Sequence, residues 1–310
     1  AWRVDTVAVI GEVMGAEEYQ LGSVYDDAVA GDTAGHVVAI DRQPVRVLEY
    51  GPDGRHVATH GREGNGPGEL AFPAGIDLGP GDTIWVSDVA NRRLTGYPRD
   101  GGAPRTIAYP DARSFPSGQI EAIPGGFLQG LGTFRGPDDD TDRGEPLVRT
   151  DSELTPLDTL WTAPVQPSDV VRLEIGGDGL MLRMAPQFWP AFEWRVLSDG
   201  GLVVSDTVEY LIRVLSPDGS LRFVIRRDPP ARAATEEDRE AVRQRILAQA
   251  DSGRGVTFGS GGPDRATQRR IAEERVEHMT FADRIPRLRG IRVDPADRIW
   301  VGVAADTAPR

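Results

Sequence analysis

The fold is decided by residues 61–88, which read GREGNGPGELAFPAGIDLGPGDTIWVSD. A glycine-rich connection, 61–68, is followed by an apolar run from Phe72, a turn at 80–82 and a second apolar run that ends in Asp88. Short apolar runs separated by Gly and Pro are typical of β-strands joined by tight turns. This stretch therefore predicts two neighbouring strands that enter from a glycine-rich loop.

The same strand ending recurs along the chain, which indicates an internal repeat. An apolar run ending in Asp is found at 37–41, 84–88 and 202–206, and a copy without Asp is found at 299–302. The three complete copies are each followed by an alternating run and then by an Asp-Gly pair, at 53–54, 100–101 and 218–219. Because Asp-Gly between alternating runs favours a β-hairpin, each repeat is predicted to contain four short antiparallel strands.

These repeats predict an all-β fold, a β-propeller of four-stranded blades. Four units are predicted, and the first two strands of another, at 21–60, 72–108, 118–161, 191–227 and 286–303. A four-stranded sheet with two apolar faces buries both by stacking with its copies around an axis. We expect six blades, with five as the alternative.

The two ends of the chain bear on how such a ring closes. Residues 3–10 match a fourth strand without the three preceding ones, so we expect this N-terminal strand to complete the last blade. The whole chain, 1–310, is predicted to form a single propeller domain, with a C-terminus short of the full domain.

Residues 231–282 break the β pattern and predict a helical insertion. Thr235 and Asp238 form a capping box, and Val242, Ile246 and Ala250 then fall on one helix face. A second helix is predicted from Asp264 to about residue 279, after a Gly/Ser-rich link.

Composition excludes several classes of function. With 35 basic and 48 acidic residues the net charge is −13, which repels nucleic acid and anionic lipid. The absence of Cys excludes disulfides, thiolate zinc sites and cysteine nucleophiles. No apolar stretch approaches the ~18–20 residues of a transmembrane helix, and no signal peptide is found in the sequence, which starts at Ala1.

The sequence resembles the signature of NHL-repeat propellers at residues 61–76, at 84–88 and at Asn91-Arg92-Arg93. In that family G-x-G-x-G-P-G-E-F is followed by P-x-G-I, an apolar strand ending in Asp, and N-x-R; here Leu70 stands where Phe is commoner. The layout also resembles bacterial exported six-bladed propellers with a late helical insertion. That resemblance implies a periplasmic or secreted protein, and it implies a fold more than a chemistry.

The leading functional hypothesis is a non-enzymatic binding or scaffold propeller that needs no cofactor. Its loops would contact a protein, peptide or glycan partner, or it would serve as one subunit of a larger complex. The binding-face candidates are Arg62, Glu69, Arg92 and Trp189. Sequence motifs of hydrolase elbows, phosphate loops and dinucleotide folds are absent from the chain.

The alternative is a lactonase- or lyase-type propeller enzyme with a divalent ion, such as calcium, on the axis. Resemblance to gluconolactonase-like propellers implies carboxylate ligands from inner strands, and the candidates are Asp77, Glu121 and Asp294. His56 and His60 lie four positions apart on one strand, too far to chelate one ion together.

The Asp residues that end the second strands have a structural interpretation. Asp41, Asp88 and Asp206 can each accept hydrogen bonds from backbone N–H groups of the following turn. Arg93 is predicted to pair with an Asp of the same or the next blade.

Overall fold

The computed structural model describes residues 6–25, 28–111, 114–133, 144–165, 167, 169–175, 178–228, 231–252, 264–294 and 296–304. The chain divides into two compact units. Unit 1 comprises Ala1–Gly136 and Glu145–Thr162, and unit 2 comprises Pro137–Gly144 and Ala163–Arg310. The two units are described separately, and the single domain over 1–310 stays a prediction.

Unit 1 contains three four-stranded antiparallel sheets, each with its strands in chain order. A short 3₁₀ helix, Glu17–Tyr19, precedes them. The strands are β1 (Val29–Gly31), β2 (Val37–Arg42), β3 (Val45–Tyr50) and β4 (His56–His60); β5 (Pro73–Gly79), β6 (Thr83–Asp88), β7 (Arg93–Pro98) and β8 (Arg105–Ala108); and β9 (Ser114–Ile123), β10 (Gly126–Thr133), β11 (Pro146–Asp151) and β12 (Pro156–Thr162).

The second sheet of unit 1 buries one face against the first sheet and the other against the third. Ile84, Val86 and Tyr97 of the second sheet belong to one apolar cluster with residues of the first sheet. The opposite face contributes Trp85, whose ring packs edge-on against Phe127 of the third sheet at 4.9 Å between centroids. A sheet that is apolar on both sides requires this stacking.

The innermost strands β5 and β9 of the second and third sheets lie side by side. The backbone N–H of Ala122 donates to Oδ2 of Asp77 over 2.7 Å, and Gly75 faces the backbone of Gly118. Stacked four-stranded meanders with neighbouring inner strands make the fold propeller-like, so the predicted all-β fold class is confirmed.

Unit 2 contains one further four-stranded sheet, three two-stranded ladders and two helices among its described residues. Its elements are β13 (Asp169–Ile175), β14 (Asp178–Met184), β15 (Glu193–Val196), β16 (Leu202–Ser205), β17 (Leu211–Leu215), β18 (Leu221–Arg226), β19 (Arg232–Ala233), α1 (Glu236–Asp251), α2 (Arg265–His278), β20 (Arg284–Ile285), β21 (Leu288–Val293) and β22 (Ile299–Val303). The four-stranded sheet β15–β18 corresponds to the predicted unit at 191–227, and β21–β22 to the strand pair at 286–303.

The predicted hairpins are confirmed in both units. Gly54, Gly101 and Gly219 each adopt a positive φ of 77–83° after an Asp, as the Asp-Gly turns require. Asp53 accepts a hydrogen bond from the N–H of Arg55, and the equivalent Asp residues of the other two turns do the same.

The predicted helical insertion is present as α1 and α2, whose flanks are joined by the short ladder β19–β20. Thr235 and Asp238 form the predicted capping box at the start of α1. Val242, Ile246 and Ala250 are buried in a cluster with Ala272 of α2, so the apolar face read from the sequence is confirmed.

The N-terminal closing strand is not found in the described part of its range. Residues 6–10 have no strand structure, and Val7 and Val9 are exposed to solvent. A strand needs a neighbouring edge for its N–H and C=O groups, and no paired partner of 6–10 is present in the part of the chain that the structure describes. Residues 3–5 lie outside the described residues, and the blade count stays a prediction.

Across the described residues, neither helix is long and apolar enough to span a bilayer.

Candidate functional site

One end of unit 1 gathers the segments that lead into inner strands and the turns between second and third strands. In an antiparallel meander, alternate turns lie at opposite ends of the sheet. The loop face is defined here as residues 17–25, 42–44, 61–72 and 89–92. It carries three of the four predicted binding-face residues, so its construction decides what it can bind.

Asp88 fixes the loop that enters the second sheet. Its buried carboxylate accepts hydrogen bonds from the N–H groups of Ala71 and Phe72, at 3.0 and 2.9 Å. Asn91 donates to it from both its backbone and its side chain, the latter over 2.7 Å. The strand-ending Asp thus holds the following turn, as predicted, and it also holds the incoming loop, which was not predicted.

Arg93 lies directly opposite Asp88 across strands β6 and β7 and holds the carbonyl groups of the same loop. Its guanidinium donates to the carbonyl oxygens of Asn65, Gly66 and Glu69, at 3.0, 2.7 and 2.6 Å. The predicted ion pair of Arg93 with an Asp is therefore replaced by contacts with the loop backbone. The loop turns the carbonyls of Asn65, Gly66 and Glu69 inward, where a guanidinium satisfies several of them at once.

The first sheet repeats this arrangement, which we call the Asp–Arg clamp. Asp41 accepts from the N–H groups of Gly22 and Ser23, and the opposing Arg46 donates to the carbonyls of Glu17 and Gln20. In unit 2, Asp206 pairs with Arg213 at 2.8 Å. In both full clamps, at 41–46 and 88–93, the Asp near the end of the second strand is followed five positions later by the Arg.

An arginine between two aromatic rings lies on the loop face. The guanidinium carbon of Arg42 is 4.5 Å from the centroid of the Tyr25 ring and 4.6 Å from that of Phe72. Its Nε donates to the carbonyl of Pro73 over 2.8 Å, which links the first sheet to the first residue of β5. Burial lowers the pKa of Arg42, whereas Tyr25 acts in the opposite direction.

Arg62 and Glu69, predicted as binding-face residues, are brought together as an ion pair. Nη2 of Arg62 lies 2.8 Å from Oε1 of Glu69. The N–H of Gly66, followed by Arg62, holds the pKa of Glu69 below its usual value. The pair closes the 62–69 loop on itself and leaves the Arg62 side chain exposed.

Arg92, the third candidate on this face, adopts a positive φ of 52° in the β6–β7 turn. Its side chain donates to the carbonyl of Asp111, and its own carbonyl accepts from Tyr109. Trp189, the fourth candidate, lies in unit 2, half-buried beside Phe188, which packs against the α1–α2 cluster.

Two of the predicted metal ligands occupy neighbouring inner strands of unit 1. Asp77 lies on β5 and Glu121 on β9, next to Ala122, which donates to Asp77. Oε1 of Glu121 accepts from Gln119 at 3.4 Å. Burial raises the pKa of Asp77 to about 6, although the N–H groups of Ala122 and Leu78 act against this shift.

Asp294, the third predicted ligand, stands in unit 2 in the turn after β21. It accepts from the N–H groups of Ala296 and Arg298 and from the side chains of Arg298 and Trp300. Burial would raise its pKa, but these donors bring the pKa of Asp294 down to about 2. Its carboxylate therefore serves the turn, and the metal site stays a prediction.

Substituting Asp77 with Asn is expected to stabilise the protein at pH 7.5 and to flatten its pH dependence. The pKa of Asp77 is about 6 in the folded protein and 3.8 in the unfolded reference, so its proton is bound more tightly when folded. This contribution is fully present below pH 3.8 and is lost as the pH rises through 6. The loss amounts to roughly 2–3 kcal/mol. Urea unfolding of both proteins between pH 4 and 8 measures it.

The control is Asp53→Asn, an exposed hairpin residue whose substitution should leave the pH profile unchanged. Parallel profiles for the wild type and Asp77→Asn would contradict the assignment. The same series with added Ca²⁺ tests the metal hypothesis, since an ion held by Asp77 would stabilise the wild type and not the variant.

A second polar cluster joins the first and second sheets at the end opposite the loop face, where the hairpin turns lie. Glu49 is buried and accepts from Arg99 Nε at 2.7 Å and contacts His60 Nε2 at 3.1 Å. Arg99 also reaches Asp32 and Asp82, in the first turns of the two sheets. Because Arg99 joins carboxylates of both sheets, the arrangement is structural.

Within the described residues, the group of three metal-type side chains with ligand atoms within 4.8 Å is Glu274, Glu277 and His278, on one turn of α2. It shares no member with the predicted set. Exposed acidic groups of this kind are common on helix surfaces, and the group receives no function here.

Sequence reasoning missed the Tyr25–Arg42–Phe72 stack. Its one visible signal is the Arg that directly follows a clamp Asp, at Asp41-Arg42, where the second sheet has Asp88-Val89. The two aromatic residues are far apart in sequence, so only the tertiary fold brings them to one guanidinium.

No family profile matches this chain, and no curated protein sequence matches it either. Solved structures give weak similarities. An exported protein of Bacteroides fragilis aligns with TM-score 0.46 and 13% identity over 72% of this chain and 54% of its own, so the chain spans about half of it. A DUF4221 member from Bacteroides vulgatus aligns with TM-score 0.46, 10% identity and coverages of 74% and 67%. A streptogramin B lyase aligns with TM-score 0.39 and 13% identity over 90% of this chain and 78% of its own.

Proposed function

We propose that this chain is a non-enzymatic binding protein of the propeller type whose loop face in unit 1 contacts a peptide, protein or glycan partner. The observation that carries the proposal is that Tyr25 and Phe72 stay exposed, at 53% and 37%, on segments fixed by buried clamps. Exposed aromatic side chains on loops that are already ordered are typical of binding surfaces, because little conformational entropy is lost on contact.

The clamps supply this order. Asp41 and Asp88 hold the backbone N–H groups of the two incoming segments, while Arg46 and Arg93 hold their carbonyls. Because both kinds of backbone group are satisfied inside unit 1, the outer surface of the loops is available to a partner. Arg62, Glu69 and Arg92 would form the polar rim of that surface, and Trp189 remains a candidate in unit 2.

The proposal includes an NHL-type repeat and an extracytoplasmic location. Support for the repeat comes from the glycine-rich 61–68 connection and from the Asp and Asn-x-Arg positions that build the clamp of the second sheet. The location rests on the resemblance of the sequence to exported propellers. In this setting the protein would act alone or as one subunit of a larger complex.

Binding is tested on peptide and glycan arrays with the labelled full chain at physiological salt. We expect saturable binding to one of the two ligand classes, and at least a tenfold loss for the double variant Tyr25→Ser, Phe72→Ser, since both rings lie on the loop face. Thermal unfolding of each variant establishes that it is folded.

The matched control is the double variant Val57→Ser, Leu157→Ser. These side chains are also apolar and exposed, at 56% and 62%, but they lie on the outer strands β4 and β12. Equal losses in the two double variants, or no saturable ligand on either array, would contradict the proposal.

A further inference from the structure

We infer that Arg42 and the rings of Tyr25 and Phe72 form a subsite for a carboxylate group of the ligand. This inference rests on the proposed function, because it names the chemistry that the loop face recognises. The carboxylate would come from a peptide C-terminus or from a sugar acid, two sources of the same planar anion.

The first support is the state of the guanidinium. Arg42 is half-buried, with two aromatic rings packed against its guanidinium at 4.5 and 4.6 Å and its Nε committed to the carbonyl of Pro73. These contacts fix the plane of the group, so that the terminal Nη1 and Nη2 edge has one orientation. A preorganised guanidinium loses little side-chain entropy when it pairs with an anion.

The second support is that no acidic group holds this edge, although the side chain of Tyr25 also interacts with the guanidinium. Among the described residues Arg42 has no carboxylate partner, in contrast to Arg46, Arg62 and Arg99, which all pair with Asp or Glu. Nη1 and Nη2 of Arg42 are also not among the described buried side-chain atoms without a hydrogen-bond partner. The Nη1 and Nη2 edge therefore faces solvent, beside two partly exposed rings.

The shape and charge of the site favour a carboxylate over a phosphate. One planar edge with two parallel N–H donors matches the two oxygens of a carboxylate. A phosphate dianion is ordinarily held by several cations or helix N-termini, and this protein carries a net charge of −13. The two rings would cover the apolar part of the ligand next to its carboxylate.

The inference is tested by titrating the full chain with two matched probe pairs at low ionic strength, and binding is measured by NMR or calorimetry. One pair is N-acetyl-phenylalanine and its amide, and the other is methyl glucuronide and methyl glucoside. We expect the acid of at least one pair to bind at least tenfold more tightly than its neutral match, and the pair concerned identifies the source. Equal binding within both pairs, or no binding, would overturn the inference.

Arg42→Gln removes the guanidinium and should weaken the acid at least tenfold while leaving the neutral probe unchanged. Arg42→Lys retains the charge without the planar edge, and it serves where the Gln variant does not fold; an unchanged acid affinity in the folded variant would overturn the inference. The control is Arg55→Gln at an exposed hairpin turn, which should have no effect.

Asp26 and Asp27 follow Tyr25 in the sequence, so the titration is repeated on the Asp26→Asn, Asp27→Asn variant. If only this variant binds the acid, the chain supplies its own carboxylate and the inference is wrong. The array experiment separates this result from the proposed function, since array binding that is lost with both rings but retained in Arg42→Gln rejects the carboxylate subsite alone.

Discussion

Replacing Asp88 with alanine is expected to lower the free energy of unfolding by about 4 kcal/mol. The carboxylate is fully buried and satisfies the N–H groups of Ala71 and Phe72 as well as the side chain of Asn91. Alanine leaves these donors without an acceptor at a point that water does not reach, and each such group costs about 1–3 kcal/mol. Equilibrium unfolding in urea, followed by tryptophan fluorescence, measures the loss.

Two comparison variants separate the clamp from ordinary turn effects. Asp100→Ala removes an exposed Asp that accepts a single N–H, from Gly102, and should cost less than about 1 kcal/mol. Asp88→Asn keeps one acceptor oxygen but turns an amide towards a backbone donor, so its cost should lie between the two. Equal effects of Asp88→Ala and Asp100→Ala would show that the clamp does not hold the loop.

The architecture of the sheets could be predicted from sequence because it rests on local signals. Asp-Gly pairs define the third turn of a repeat, and an apolar run ending in Asp defines its second strand, so the sheets at 37–60, 83–108 and 202–226 follow from short patterns. The third sheet lacks an Asp-Gly turn, and its strands still fall within the predicted range of 118–161, except that β9 begins at Ser114 and β12 ends at Thr162. The capping box of α1 is local in the same sense.

The N-terminal strand shows where local patterns fail. Residues 6–10 alternate in the manner of a strand, but alternation fixes only which side chains share a face. Whether a segment becomes a strand depends on a partner edge elsewhere in the chain, and the described residues 6–10 have none. In the same way, the pattern predicted that Arg93 would pair with an Asp of the same or the next blade and did not reveal that carbonyls of the preceding loop would surround it.

The candidate site required the tertiary structure for a different reason. Arg62 and Glu69 are seven positions apart and could be suspected from one loop, whereas Tyr25, Arg42 and Phe72 come from three segments of two repeats. Such contacts are hard to find in a repeat protein, because comparing the sequences of the repeats highlights the positions that they share and not the positions at which they differ. Arg42 has an apolar counterpart, Val89, in the second sheet, so it belongs to the positions that distinguish one repeat from another.

Gly75→Ala is expected to destabilise the protein by about 3 kcal/mol, since it tests the approach of the inner strands β5 and β9. A Cβ at Gly75 would lie 2.0 Å from the carbonyl oxygen of Gly118 and 2.8 Å from its carbonyl carbon. Both atoms are backbone, so no side-chain rotation relieves the overlap and the strands must separate. Separation would also lengthen the hydrogen bond from Ala122 to Asp77, and the loss should therefore be seen in urea unfolding together with a changed pH profile between pH 4 and 6.

Gly302→Ala is the matched control, because its nearest neighbours lie 3.6 Å from the added carbon and a strand position without steric overlap should change stability by less than about 1 kcal/mol. Wild-type stability in Gly75→Ala would mean that β5 and β9 do not approach at this point. The placement of Asp77 beside the backbone of β9 would then have to be abandoned.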